Sequence, residues 1–78
     1  MPTVKDIPGP YRFFFYSFDF NEAIHVHVRR EKMTCKFWLD PMELASNHGF
    51  SARELTIIRH LIHTHYHDIL EAWVEHGG

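Results

Sequence analysis

The stretch Ile24–Leu39, IHVHVRREKMTCKFWL, decides the fold. Apolar residues fall on every second position on both sides of Glu31-Lys32, first Ile24, Val26 and Val28, then Cys35, Phe37 and Leu39. Alternation with period two is the pattern of a strand with one buried face. If Glu31 and Lys32 alone make the connection, the register is fixed, because a slip of one residue would turn each apolar set to the wrong side. Val28 then faces Cys35, Val26 faces Phe37 and Ile24 faces Leu39. The other side of the hairpin receives His25 beside Trp38, His27 beside Lys36 and Arg29 beside Thr34. Glu-Lys is not a favoured turn dipeptide, so the alternation carries this reading rather than the turn.

Working outward, the N-terminal arm of residues 1–12 contains Ile7-Pro8-Gly9-Pro10, which disfavours both helix and ladder. Tyr11–Phe20, YRFFFYSFDF, has high strand propensity and apolar groups on both faces. Such a strand needs cover on two sides. After the hairpin, Asp40-Pro41 signals a second turn, and Met42–Ala45 is expected to return as a short fourth strand. The sheet is therefore expected within residues 13–45.

Residues 51–76 read as one helix. Ser51 with Glu54 makes a capping box, and Phe50 with Leu55 a hydrophobic staple. Leu55, Ile58, Ile62, Tyr66, Ile69 and Trp73 then recur every three or four residues as one apolar stripe. About 25 helical residues make a rod of roughly 37 Å, longer than a six-residue strand of about 20 Å. Part of that stripe, with Ile57, Leu61 and Leu70 beside it, is thus expected to pack on something beyond the sheet, a second copy of the chain or a small protein partner. The fold class is α+β: a three- to four-stranded antiparallel sheet packed on one long C-terminal helix, with residues 1–78 forming one domain.

Composition bounds the function. A chain of 78 residues buries only about 60% of its unfolded surface, which makes association a natural source of extra stability. One cysteine, Cys35, rules out an internal disulfide, and no apolar run reaches the ~20 residues of a membrane span. The N-terminus reads without a signal peptide, so a reducing cytoplasm is expected and a membrane partner is not. Eight histidines accompany a formal net charge of -2. A whole-molecule basic footprint for nucleic acid is absent, and any anion contact must come from a local patch.

Three chemistries fit the polar face of the hairpin. His25 and His27, two apart on a strand, project to the same side about 7 Å apart and suit a metal, but zinc sites need three or four protein ligands. Asp19, Glu22 and His48 are the loop residues that could complete the set; strand alternation sends Cys35 to the other face. No cofactor is expected, zinc or nickel weakly held being the alternative. The second chemistry is phosphodiester cleavage without metal. His25 and His27 would be acid and base, Arg12, Arg29 or Lys36 would hold phosphate charge, and Tyr16 and Trp38 would stack a base. The third is a solvated face that contacts a partner protein or RNA. His60, His63 and His67 lie opposite the apolar stripe of the helix and read as solvated. In the aromatic run Phe13, Phe14, Phe15, Tyr16 and Phe18, the unburied half suits a protein-binding surface.

The segments PTV, YRFFFYS, HVHV, KFWL and GFSARELTIIRHLI together resemble the small bacterial proteins grouped as the domain of unknown function family numbered 4160. The resemblance spans nearly the whole chain. It departs from the family's usual pattern at Ala23 and Ile24, where prolines are common. It implies a gene beside another small partner, an arrangement of toxin-antitoxin type, and it transfers no catalytic residue. The leading expectation is therefore a binding protein of such a two-gene module, with a ribonuclease using His25 and His27 as the alternative and a metal-binding protein as the third.

Overall fold

The computed structural model describes residues 3–77 and contains four strands followed by two helices. The strands are β1, Arg12–Phe14; β2, His25–Arg30; β3, Met33–Leu39; and β4, Met42–His48. They form an antiparallel meander in the order β1-β2-β3-β4, so the α+β class holds with four strands. The β2–β3 hairpin turns on Glu31-Lys32 and pairs His25 with Trp38, Val26 with Phe37, His27 with Lys36, Val28 with Cys35 and Arg29 with Thr34. Glu31 takes a positive φ of 54°, which is how a dipeptide without glycine or asparagine closes the turn. β4 runs three residues past Ala45 and pairs Leu44 with Phe37, with a bulge between Lys36 and Phe37.

The two edges of the sheet differ. The N-terminal arm lies along β1, where the Val4 N–H donates to the Phe13 carbonyl at 2.8 Å and Thr3 bridges to Phe14. The expected arm is described from Thr3 onward, and residues 1, 2 and 78 lie outside the described residues. β4 is the open edge, and six of its seven residues are exposed.

The C-terminal segment corrects the expectation of one long helix. It forms α1, Ala52–Thr64, and α2, Tyr66–His76, joined at His65, whose φ of -105° and ψ of 22° leave the helical region. A straight rod of roughly 37 Å would overrun a chain whose largest extent is 31 Å. The break instead lets both halves of the stripe reach the same core: Ile58, Ile62, Ile69 and Trp73 are all buried with Phe13, Phe15, Val26, Val28 and Phe37. The Tyr66 hydroxyl donates to the Leu39 carbonyl just after the break. The overlength that suggested a partner is thus largely absorbed by the chain's own bend, although Ile57 and Val74 stay 42% and 67% exposed.

The N-terminus of α1 forms the serine half of the expected capping box, while the Glu54 side chain turns to other partners. The Ser51 hydroxyl accepts the Glu54 N–H at 3.2 Å. The Glu54 carboxylate accepts the Tyr11 hydroxyl at 3.1 Å and the Arg30 guanidinium at 2.9 Å, tying α1 to the start of β1 and the end of β2. Asn47 prepares this approach by bonding both backbone groups of Phe50.

Candidate functional site

After β1 the aromatic run splits by parity. Phe13 and Phe15 enter the core, while Phe14, paired with His27, turns to the opposite side of the sheet. The chain then folds over that side. Asp19–Asn21 forms a short 3-10 turn, the Asp19 N–H donates to the Tyr16 carbonyl at 3.0 Å, and the Tyr16 N–H donates back to the Asp19 carboxylate (Oδ2) at 2.6 Å. An aspartate bonding backbone near its own turn is how this residue type fixes loops. The result is a carboxylate only 1% exposed, aimed at the start of β2.

There it meets both histidines of the HVHV segment. His25 Nε2 lies 3.1 Å from Asp19 Oδ1, and His27 Nε2 lies 2.9 Å from Asp19 Oδ2. One ligand atom from each of the three residues falls within 4.8 Å of the others. The separations are those of hydrogen bonds, but the directions are not. Both Nε2 atoms are buried and have no hydrogen-bond partner of acceptable geometry. His25 also has its tautomer assigned by its surroundings. Its Nδ1 lies 2.8 Å from the Ala23 carbonyl oxygen, which only accepts, so Nδ1 carries a proton and Nε2 is the ring nitrogen turned toward the carboxylate.

The electrostatics agree with an ionised carboxylate between the two rings. Burial pushes the Asp19 carboxyl up, but the Tyr16 N–H, His25 and His27 together hold it below its ordinary value. Burial holds His27 below the ordinary histidine value, against the opposing pull of Asp19, and His25 and Lys36 add to the lowering.

Aromatic rings enclose the cluster. His25 meets Trp38 and Trp73 edge-on at 5.4 and 5.3 Å, and His27 stacks on Phe14 at 5.5 Å while Tyr16 meets it edge-on at 4.8 Å. The polar face of the hairpin is therefore not open throughout, as its alternation alone suggested. His25 is fully buried, because Trp73 of α2 and the 16–21 turn close over the end of β2 where β1 has already ended. The turn bears an outward aromatic pair, with Phe18 63% exposed and stacked on Tyr16 at 5.4 Å, the ring planes 5° apart.

The remaining expected residues scatter around this centre. Lys36 bonds Glu22 at 3.0 Å and sits 4.3 Å above the Trp38 ring. Arg29 is exposed and donates to the Glu31 carbonyl at 2.9 Å; Arg12 is exposed, bonds Thr3 and lies 5.9 Å from the Phe14 ring centre. Of the loop residues offered as third ligand, Asp19 joins the histidine pair. His48 instead pairs with Thr34 near the far end of β3 and is exposed. Cys35 faces the core opposite Val28, and burial pushes its thiol up to about 12. His60, His63 and His67 are exposed on the helices. Sequence alone did not reveal the Trp73 lid or the Glu22–Lys36 pair, since both depend on how the 3-10 turn and the helix bend bring distant segments together.

No helix among the described residues is long and apolar enough to cross a membrane. No curated protein and no solved structure matches the chain. A family model does match, over residues 11–74, a span that takes in the whole sheet, the Asp19 turn, the histidine pair and both helices up to Val74. The chain belongs to the family described as Domain of unknown function (DUF4160).

Proposed function

We propose that the chain is a small binding protein that engages a protein partner through the surface built by the 16–21 turn, as one member of a bacterial two-gene pair of toxin-antitoxin type. The observation that carries this reading is the Phe18 ring, 63% exposed yet held in place by stacking on Tyr16. Tyr16 is itself anchored through its N–H to the buried Asp19 carboxylate. A large aromatic that is exposed but already ordered loses little freedom on binding, and such side chains are enriched at the energetic centres of interfaces. Lys36, paired with Glu22, supplies a polar rim, and the two-gene context is what the family resemblance implies.

RNA is less well supported as the occupant. Lys36 is already paired with Glu22, and the chain carries a net charge of -2. Metal-independent cleavage by His25 and His27 draws no support from the geometry either, because His25 is sealed and its Nε2 faces Asp19 rather than solvent.

The test is coexpression with the product of the adjacent gene, followed by size-exclusion chromatography with light scattering. The expected result is a stable complex that Phe18→Asp dissolves while circular dichroism stays unchanged. A chain that remains monomeric at high concentration and captures no neighbour-encoded protein contradicts the proposal; self-association lost with the same variant would assign the surface to a second copy instead.

A further inference from the structure

We infer that Asp19, His25 and His27 bind one divalent transition-metal ion, zinc being the ion their donor set suits best. This stands independently of the partner-binding reading. Two buried ring nitrogens stand beside one buried carboxylate with no hydrogen bond to it. His25 is fully buried, its Nδ1 proton is committed to the Ala23 carbonyl, and its Nε2 lies 3.1 Å from a carboxylate oxygen. A buried ring nitrogen that stands beside a carboxylate without hydrogen-bonding it leaves a place for a cation that both can ligate. His27 repeats the arrangement at 2.9 Å from the other carboxylate oxygen, with a buried and unpartnered Nε2 of its own.

The geometry suits a metal. Donors about 2.0–2.2 Å from a tetrahedral zinc stand about 3.3–3.6 Å apart, a few tenths of an ångström wider than the 3.1 and 2.9 Å found here. The three donor atoms already lie within 4.8 Å of one another. A ligating histidine characteristically donates its other ring N–H to a backbone carbonyl or a carboxylate, which orients the ring, and the His25–Ala23 bond is such a contact. The Tyr16 N–H supports the carboxylate in the same way. Two imidazoles and one carboxylate favour zinc and its neighbours over calcium or magnesium, which take oxygen ligands. Three protein donors leave a fourth tetrahedral position for an external ligand, on the side where His27 is partly exposed.

The site also has a structural consequence. Asp19 belongs to the turn that carries Phe18, and the histidines belong to β2, so a bound ion would cross-link the turn to the sheet.

The test uses the full chain stripped with a chelator and titrated with cobalt, read by its visible tetrahedral spectrum, and then with zinc in competition. One equivalent per chain is expected, with zinc displacing cobalt. His27→Ala should weaken binding at least ~100-fold, the upper end of what loss of a supporting contact costs a metal site. A double variant of the exposed helix histidines, His63→Gln with His67→Gln, should leave it unchanged. Because Asp19 and His25 are buried and their variants are prone to misfold, the wild-type chain provides a second reading: on adding zinc, the Nε2 nitrogen signals of His25 and His27 should shift together. Absence of saturable binding, binding that follows His63 and His67, or titration that leaves both Nε2 signals in place would overturn the inference.

Discussion

Asp19 and His25 face each other at 3.1 Å, carboxylate oxygen to ring nitrogen, and both are shut off from solvent. They lie on different elements, a 3-10 turn and the first residue of β2, so the contact is also the fastening between the turn and the sheet. The opposite edge of the same turn holds Phe18 out into solvent. One buried carboxylate thus supports both the candidate metal centre and the candidate interface.

Removing that carboxylate is expected to be expensive. Asp19→Ala leaves the part-buried Tyr16 N–H unpaired and the two ring nitrogens without their carboxylate, and an unsatisfied buried polar group costs about 1–3 kcal/mol. Chemical denaturation of the metal-free chain should show a loss in that range, with an unchanged dependence on denaturant. A loss indistinguishable from zero would mean that the turn is held by its aromatics alone.

Two phenylalanines three residues apart should behave as opposites. Phe15 is fully buried and meets Trp73 edge-on at 5.5 Å, so Phe15→Ala is expected to cost about 3–5 kcal/mol. Phe18→Ala removes a mostly exposed ring and should cost within about 0.5 kcal/mol, while removing partner binding. Thermal melts of the two variants decide this; comparable losses would contradict the assignment of Phe18 to function.

Alkaline pH should expose the Tyr11–Glu54–Arg30 fastening. Burial raises the Tyr11 hydroxyl above its ordinary value, the hydrogen bond to Glu54 adds to this, and Arg30 partly offsets it. A folded value raised above the unfolded one contributes stability that is complete below about pH 10 and is lost as pH climbs through the folded value. Ultraviolet titration of tyrosine should therefore contain a late component, absent from Tyr11→Phe. Identical titrations of the two proteins would contradict it.

Cys35 should be inert in the folded chain. With its thiol at about 12 and its side chain in the core, almost no thiolate is exposed to an alkylating reagent at neutral pH. Mass spectrometry should find no adduct without denaturant and complete modification with it; modification under native conditions would place the residue elsewhere.

Much of this architecture could be read from residues 24–39. Strict alternation around Glu31-Lys32 admits one register, and that register puts Val26 and Val28 in the core and the histidines on the other face. The capping box at Ser51 likewise states where α1 begins. The helix break at His65 was not legible, because it has neither glycine nor proline to mark it and the periodic stripe runs straight across it. The break answers to the size of the sheet, which is a tertiary constraint. Asp19 could be named as a ligand beside the histidine pair, but so could Glu22 and His48; only the folded turn separates them, sending Glu22 to Lys36 and leaving His48 at the far end of β3. The burial of His25 was illegible for the same reason, since its cover comes from Trp73, 48 positions away along the chain.

The most direct measurement of the site is the protonation of the two His25 ring nitrogens, read by long-range proton–nitrogen correlation in the metal-free chain at neutral pH. The geometry predicts a proton on Nδ1, held by the Ala23 carbonyl, and an Nε2 facing Asp19 that is bare and shifted once zinc is added. A proton on Nε2 that persists in the presence of zinc would make the cluster a simple hydrogen-bonded fastening and would contradict the metal centre.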